Sequence, residues 1–311
     1  MRAGLREPVF PLVVRRRLIG LAFGATRSAR RGLGSDVAGS RPYLPGDDMR
    51  AIDWAASARL SAARDADEFV TRERYTEEAP RVVIVCDRRP AMALYPHGVP
   101  WLSKPQAVRI AASLIADSAV RTRGAVGYLD FAAGRPEPFW RPPTALREAR
   151  LVKESHVLWP EYKAPEDNLT HALEHLTRLR GSLPGGSFVF VLSDFLVAPG
   201  PEVWLSVLER SWDVVPVVIQ DPTWESSFPD AGGVVLPLAD PASGRLVRVR
   251  LSAREAAERR GFHEQRRERL LGDFRSLGID PVAVSTTNVD EVLRAFLSWG
   301  EQRLIERRGG W

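Results

Sequence analysis

The chain has 311 residues, 44% of them hydrophobic and 27% charged, with a formal net charge of +5; this is the profile of one large globular domain, or of a domain with an added module, and not of a disordered chain. Cys86 is the only cysteine, which excludes an intramolecular disulfide and any cysteine-based zinc or iron–sulfur framework, and fits a reducing, cytoplasmic compartment. All but three of the 44 basic residues (Lys104, Lys153 and Lys163) are arginine, but 39 acidic residues are interspersed among them, so charge alone does not argue for a nucleic-acid binder.

In chain order, residues 1–33 read as a basic N-terminal extension, partly helical in pattern. Its apolar run "LIGLAFGAT" (Leu18–Thr26) follows Arg15–Arg17 and is under half of the ~20 residues a spanning helix needs. No small-residue cleavage site follows it. No transmembrane segment is expected; a helix lying on a membrane surface, giving peripheral contact, is the alternative. Residues 34–80 form a second zone, rich in Gly, Asp and Arg. It ends in the alternating "DEFVTRERYTEE" (Asp67–Glu78), which suits a strand covered on one side.

From Arg81 the texture changes to strands alternating with helices. Val82–Cys86 is a continuous apolar run, as in a strand buried on both faces. Lys104–Val120 has helical apolar spacing, Ala125–Phe131 reads as a strand and Leu146–Glu154 as a helix. Helix over Leu169–Leu179, strand over Ser187–Leu192, helix over Pro201–Glu209 and strand over Asp213–Ile219 follow. Residues 232–251 read as a hairpin insertion around the turn "DPASG" (Asp240–Gly244). Ser252 and Glu255 form a capping-box pattern that opens an arginine-rich helix running to about Ser276. Pro281–Ser285 is a last strand, and Asn288 with Glu291 caps the final helix. This alternation implies an α/β, Rossmann-like domain over 81–311, with a mainly parallel sheet and helices on both faces, joined to an N-terminal extension and a small β module.

Several signals carry little. "GLGSDVAG" (Gly32–Gly39) has neither the spacing nor the flanking strand and helix of a dinucleotide loop. His171 and His175, an i,i+4 pair, read as a solvated helix face. Ser193 beside Asp194 lacks the glycines of a nucleophile elbow.

The densest local signal is "SRPYLPGDDMRAIDWAASARL" (Ser40–Leu60). Leu44–Asp48 reads as a turn into a helix start, with Asp47 or Asp48 as N-cap. Arg50, Asp53 and Arg59 form a candidate ion-pair cluster, and Trp54 a candidate anchor on the following domain. An enzymatic reading instead makes Asp47, Asp48 and Asp53 metal ligands. The stretch from Tyr43, through Pro45, Gly46, Asp47, Asp48, Arg50, Asp53 and Trp54 to Arg59, followed by "VVIVCDRRPAM", resembles the bacterial family known as domain of unknown function 58. "VLSDF" (Val191–Phe195) and Asp221–Val249 support the resemblance, which spans about residues 34–300.

The resemblance implies a von Willebrand factor A-like domain with a cleft at the carboxyl ends of its strands. In such domains the cleft often holds Mg²⁺ in a metal-ion-dependent adhesion site, through an Asp, two Ser hydroxyls, a Thr and a second Asp. Asp87 matches the first Asp and Asp194 the last. Arg89 and Ala91 stand at the two serine positions, and Asp167 at the threonine position, with Thr170 as the other register. Either Arg89 enters the cleft in place of the cation, or Arg88 and Arg89 point outwards and Asp87, Asp167 and Asp194 bind a metal. The first is the expectation, so no cofactor is expected, with Mg²⁺ the alternative. The resemblance also implies a non-enzymatic partnership with a MoxR-type AAA+ ATPase in chaperone-like complex maturation. A metal-dependent hydrolase and a nucleic-acid binder using the helix over 252–276 are the competing classes; no specific nucleic acid is expected.

Overall fold

The computed structural model describes residues 8–14, 37–43, 49, 52–64, 68–74, 79–94, 102–131, 138–143, 161–179, 183–240, 243 and 245–309. Pro45, Gly46, Asp47, Asp48 and Arg50, and the helix expected over 146–154, lie outside these residues. The chain divides into two compact units, residues 23–79 and residues 1–22 with 80–311.

In the smaller unit, β1 (Val37–Pro42) pairs antiparallel with β2 (Val70–Arg74), and α1 (Trp54–Arg64) lies between them in sequence. Asp53 caps α1 through a bond from the Ala56 amide to its Oδ1 at 3.1 Å. The cap expected at Asp47 or Asp48 lies outside the described residues. Ser57 ties α1 to β2: its hydroxyl donates to the Asp53 carbonyl at 2.7 Å and accepts from the Val70 amide at 2.9 Å. Arg59 donates to the Ala55 carbonyl on its own helix at 3.1 Å. Trp54 meets Phe69 edge-on at 6.0 Å and is 61% exposed. It occupies the first turn of a helix whose only buried side chain is Ser57, so the apolar face needed to draw the ring inward is lacking.

The larger unit holds β3 (Arg81–Cys86), α2 (Lys104–Arg121), β4 (Ala125–Asp130), β5 (Phe139–Arg141), α3 (Asn168–Arg178) and β6 (Phe188–Ser193). After these come α4 (Pro201–Leu208), β7 (Asp213–Ile219), β8 (Val235–Ala239), β9 (Leu246–Arg250), α5 (Ala253–Ser276), β10 (Val282–Val284) and α6 (Val289–Gly309). Six strands form one sheet in the order β10-β7-β6-β3-β4-β5. All neighbours run parallel except β5, an antiparallel edge. The apolar runs of β3, β6 and β7 arise because both faces are covered. Val82, Ile84 and Cys86 pack with α2 and α6 on one side. Val83 and Val85 pack with α3, α4 and Phe274 of α5 on the other. The fold is thus Rossmann-like α/β. The chain leaves β3 towards β4 on one side and returns beyond it as β6 on the other. The strand order therefore reverses between β3 and β6, and the crevice at their carboxyl ends is where such sheets place their sites.

Residues 8–14, read from sequence as part of a separate extension, pack into this unit. Phe10 stacks on Phe296 at 4.5 Å, and its amide donates to Ser118 at 3.0 Å. Buried Arg303 donates to the Val13 carbonyl at 3.1 Å and to Asp213 at 2.7 Å. The capping box at Ser252 and Glu255 has both of its bonds, and Asn288 accepts from the Asp290 and Glu291 amides.

Candidate functional site

At the switch point, Asp87 follows β3, Ser193 ends β6 and Asp194 follows it. The chain after Asp87 turns back on it: the Arg89 amide donates to Asp87 Oδ1 at 3.0 Å. That turn brings the Arg89 side chain into the crevice. Its Nε lies 2.9 Å from Asp87 Oδ2, and its Nη2 lies 2.6 Å from that oxygen and 2.6 Å from Asp194 Oδ1. One guanidinium therefore bridges two carboxylates whose side chains are both 0% exposed. Asp87 also accepts from Ser193 Oγ at 2.6 Å and Asn168 Nδ2 at 3.1 Å, which fills its acceptor capacity.

The other Asp194 oxygen takes Lys104 Nζ, from the first turn of α2, at 2.9 Å. Lys104 continues to Glu225 Oε1, and Glu225 Oε2 accepts the Asp221 amide at 2.9 Å. Asp221 in turn accepts the Leu102 amide at 2.8 Å, which fixes the entry to α2. Gln220 donates to the Asp194 carbonyl at 2.7 Å. Just beyond Asp194 the backbone takes φ 51° at Phe195, costly for a residue with a Cβ. Phe195 is wedged against Trp204 and Phe274, and its amide is held by Ser193 Oγ at 2.9 Å. Packing thus enforces the turn that aims Asp194 inward.

The charges respond to this burial. Burial pushes the Asp194 carboxyl up, but Lys104 and Arg89 together outweigh it and hold it below its ordinary range. Glu225 is raised by burial, which its Lys104 contact does not offset. Burial lowers the Arg89 and Lys104 values, but their carboxylate partners more than restore them, so both stay charged.

Arg88 goes elsewhere. Its Nε donates to Asp130 Oδ2 and its Nη2 to the Tyr128 hydroxyl, both at 2.9 Å, so it seals the end of β4. The adjacent arginines diverge because successive residues leaving a strand point to opposite sides. Neither points outward. Cys86, just before them, is 1% exposed, and burial pushes its thiol up to about 12. It should therefore resist a disulfide reagent at about pH 8 in the native state and label fully once unfolded; fast native labelling would show that β3 opens.

The residues expected at the site fare differently. Asp87, Arg89 and Asp194 come together; Ala91 lies beside them in a 3₁₀ turn, Pro90–Ala93, and has no side-chain polar group to offer. Asp167 does not join them. Its side chain is 60% exposed and lies 3.4 Å from His171. Its neighbour Asn168 turns inward instead, because one helical step rotates the side chain by about 100°. The grouping of Asp87, Asp167 and Asp194 as carboxylate ligands therefore fails. Sequence reading also missed Lys104, Ser193 and Glu225 as members of the site. Lys104 carried a signal: it is one of three lysines in a chain that otherwise uses arginine.

Asp87, Asp194, Ser193 and Asn168 are oxygen donors of the kind hard cations take. However, Arg89 already occupies the space between the two carboxylates, and Lys104 holds the far oxygen. A divalent ion there would face two cations in a buried site, so these residues do not fit one. The arrangement is a closed ion-pair plug at the carboxyl end of the sheet.

Such a fold and site define a doubly wound α/β protein whose switch point is sealed by its own side chains. The chain belongs to the family described as protein of unknown function DUF58, whose model matches residues 39–270. It is 26% identical over 242 residues to uncharacterized protein Mb1516 of Mycobacterium bovis and, equally, to uncharacterized protein Rv1480 of Mycobacterium tuberculosis. In each case 74% of this chain and 68% of the relative are covered. Among solved structures it is similar to an aerotolerance-related membrane protein from Bacteroides fragilis, carrying multiple mutations to serines. The TM-score is 0.42 and the identity 15%, over 72% of this chain and 99% of that one. The pilus adhesin SpaC from Lactobacillus rhamnosus GG matches with TM-score 0.36 and 12% identity, over 74% and 31% of the two chains. Among the described residues no helix is long and apolar enough to cross a membrane.

Proposed function

We propose that this chain is a non-enzymatic interaction protein. Its larger unit is a von Willebrand factor A-like domain with Arg89 standing in the position of the adhesion-site cation. It works with a MoxR-type AAA+ ATPase in chaperone-like complex maturation, in the reducing cytoplasmic compartment that a lone buried cysteine suits. The observation that carries this reading is the bridge from Asp87 through Arg89 to Asp194. In a domain of that class a bound Mg²⁺ connects the oxygen donors of the cleft, so the connection depends on metal. A guanidinium bound through bidentate, charge-assisted bonds makes the same connection permanently. The loop conformation after β3 and β6 is then a fixed feature of the fold, presented to a partner without a metal-loading step.

The same geometry weighs against hydrolysis by these aspartates. A general base must reach the proton it takes, and here both carboxylates are fully paired and 0% exposed. The ATPase partner rests on the family resemblance, and a direct measurement tests it. The full chain should co-purify with a MoxR-type AAA+ ATPase from its native host, and its association should change between ATP and ADP. Absence of association in both nucleotide states would remove the partnership.

A further inference from the structure

The hairpin β8–β9 is a two-stranded sheet of its own. Leu236 and Val249 on its inner face pack on Phe228, Leu251 and Ala256, which fixes the hairpin to the start of α5. The register sets Val235 opposite Arg250, Pro237 opposite Arg248 and Ala239 opposite Leu246. The Asp240 amide donates to the Arg245 carbonyl at 2.9 Å, which gives the phase of the ladder. Because backbone bonding alternates along an antiparallel pair, Val247 and Val249 turn their N–H and C=O groups towards β8. Leu246, Arg248 and Arg250 turn theirs away from it.

The two outer edges are therefore unlike. On β8 the middle outward position is Pro237, which has no N–H to offer and blocks pairing. On β9 the outward groups belong to three exposed residues, Leu246, Arg248 and Arg250. No backbone bond beyond the hairpin reaches them among the described residues. One edge is closed and the other open.

We propose that the open edge of β9 is a strand-addition site for an extended segment of a protein partner in which acidic and apolar residues alternate. A strand laid on this edge gains main-chain bonds at Leu246, Arg248 and Arg250 and puts alternate side chains on the two faces. On the outer face its neighbours are Arg248 and Arg250, which call for carboxylates. On the inner face its neighbours are Val247, itself 46% exposed, and Val249, which call for apolar side chains continuous with the small cluster below. The charge also decides against a second copy of this chain. Two β9 edges paired antiparallel about Arg248 would set that arginine against its own copy, and like charges directly opposite destabilise a ladder. The inference stands apart from the reading of the switch point and does not depend on which partner carries the segment.

The test uses the full chain and a short, blocked, fluorescently labelled peptide of alternating valine and glutamate, titrated at low and at physiological salt. Saturable binding is expected. N-methylation of the amides along one edge of the peptide should abolish it while leaving every charge in place. Arg248→Glu should weaken binding by about tenfold or more, since it turns an attractive cross-strand pair into a repulsive one. Leu246→Pro, which removes an outward N–H and no charge, should weaken it similarly with the melting temperature unchanged; if that variant does not fold, the N-methylated peptide on the wild-type chain decides alone. Equal binding of the N-methylated peptide, or of a valine–lysine peptide, would overturn the proposal. So would no binding at low salt, or a wild-type dimer that Arg248→Glu dissociates, since that would make a second copy the occupant.

Discussion

Replacing Arg89 with methionine is expected to lower the unfolding free energy by about 3–5 kcal/mol, because removing one partner of a buried ion pair leaves the other uncompensated. Here the loss is shared by two carboxylates, Asp87 and Asp194, neither with access to water. Lys104 remains on Asp194, but Asp87 is left with only the neutral donors Ser193 and Asn168 and the Arg89 backbone amide. Arg89→Lys should recover only part of the loss, since an ammonium cannot span both carboxylates in the planar, bidentate manner of a guanidinium. Denaturant titration measures both. The double variant Arg89→Ser, Ala91→Ser carries the argument further: it returns hydroxyls to two positions and vacates the space between the aspartates. Its melting temperature should rise with millimolar Mg²⁺, whereas that of the wild type should not. A wild-type chain strongly stabilised by Mg²⁺ would refute the reading of Arg89 as the resident cation.

Lys104→Met should cost a similar amount near neutral pH, about 3–5 kcal/mol, for the same reason: it removes the ion-pair partner of buried Glu225 and leaves Asp194 with Arg89 alone. Its pH dependence separates lost electrostatics from lost packing. In the wild type the Lys104 value is raised above 10.5, so its contribution is complete below 10.5 and is lost only as pH climbs through that higher folded value. The Asp194 value lies below 3.8, so its contribution is present above 3.8 and is lost as pH falls through the lower folded value. Glu225 has the opposite sign. Its value is raised above 4.5, so its ionised form costs stability at higher pH, and protonation relieves that cost as pH falls towards 4.5. Without Lys104 both carboxylates shift upward, and the variant should regain stability on acidification. Its deficit against wild type should narrow as pH approaches 4.5 in paired denaturation curves. A deficit that stays constant with pH would mean that Lys104 contributes only packing.

Much of the architecture was legible because local physics and tertiary physics agree along most of this chain. The buried strands declare themselves as uninterrupted Val, Ile and Phe, since a sheet covered on both faces leaves no polar side to alternate with. The helix α5 announces its start through Ser252 and Glu255, because a capping box is satisfied within four residues. Where a feature depends on partners far away in sequence, the reading failed. β5 has only three residues and is a strand because β4 offers it an edge. In the smaller unit, Ser57 binds the Asp53 carbonyl and also the Val70 amide, 13 residues away from it, and its neighbours in sequence do not announce this tie.

The crevice shows the same division. From the residues alone, Asp87 and Asp194 could be placed at strand ends and Arg89 near them, because strand ends and topology follow from apolar periodicity. The meeting of Arg89 with Asp87 and Asp194 was the expectation that the family resemblance gave; which other side chains meet there could not be read. Asp167 and Asn168 are adjacent, and a single helical step sends one to solvent and the other to Asp87. Arg88 and Arg89 are adjacent, and the alternation at a strand end sends them to Asp130 and Asp194, 42 and 105 residues away. Lys104 and Glu225 are separated by 121 residues and meet only because α2 begins, and the chain after β7 turns, over the same end of the sheet. Local sequence determined the elements, their faces and the family of this protein. Tertiary structure alone decided that Lys104, Asn168 and Glu225 complete the network around its central carboxylates, because pairing buried charges depends on positions in space that no local pattern encodes.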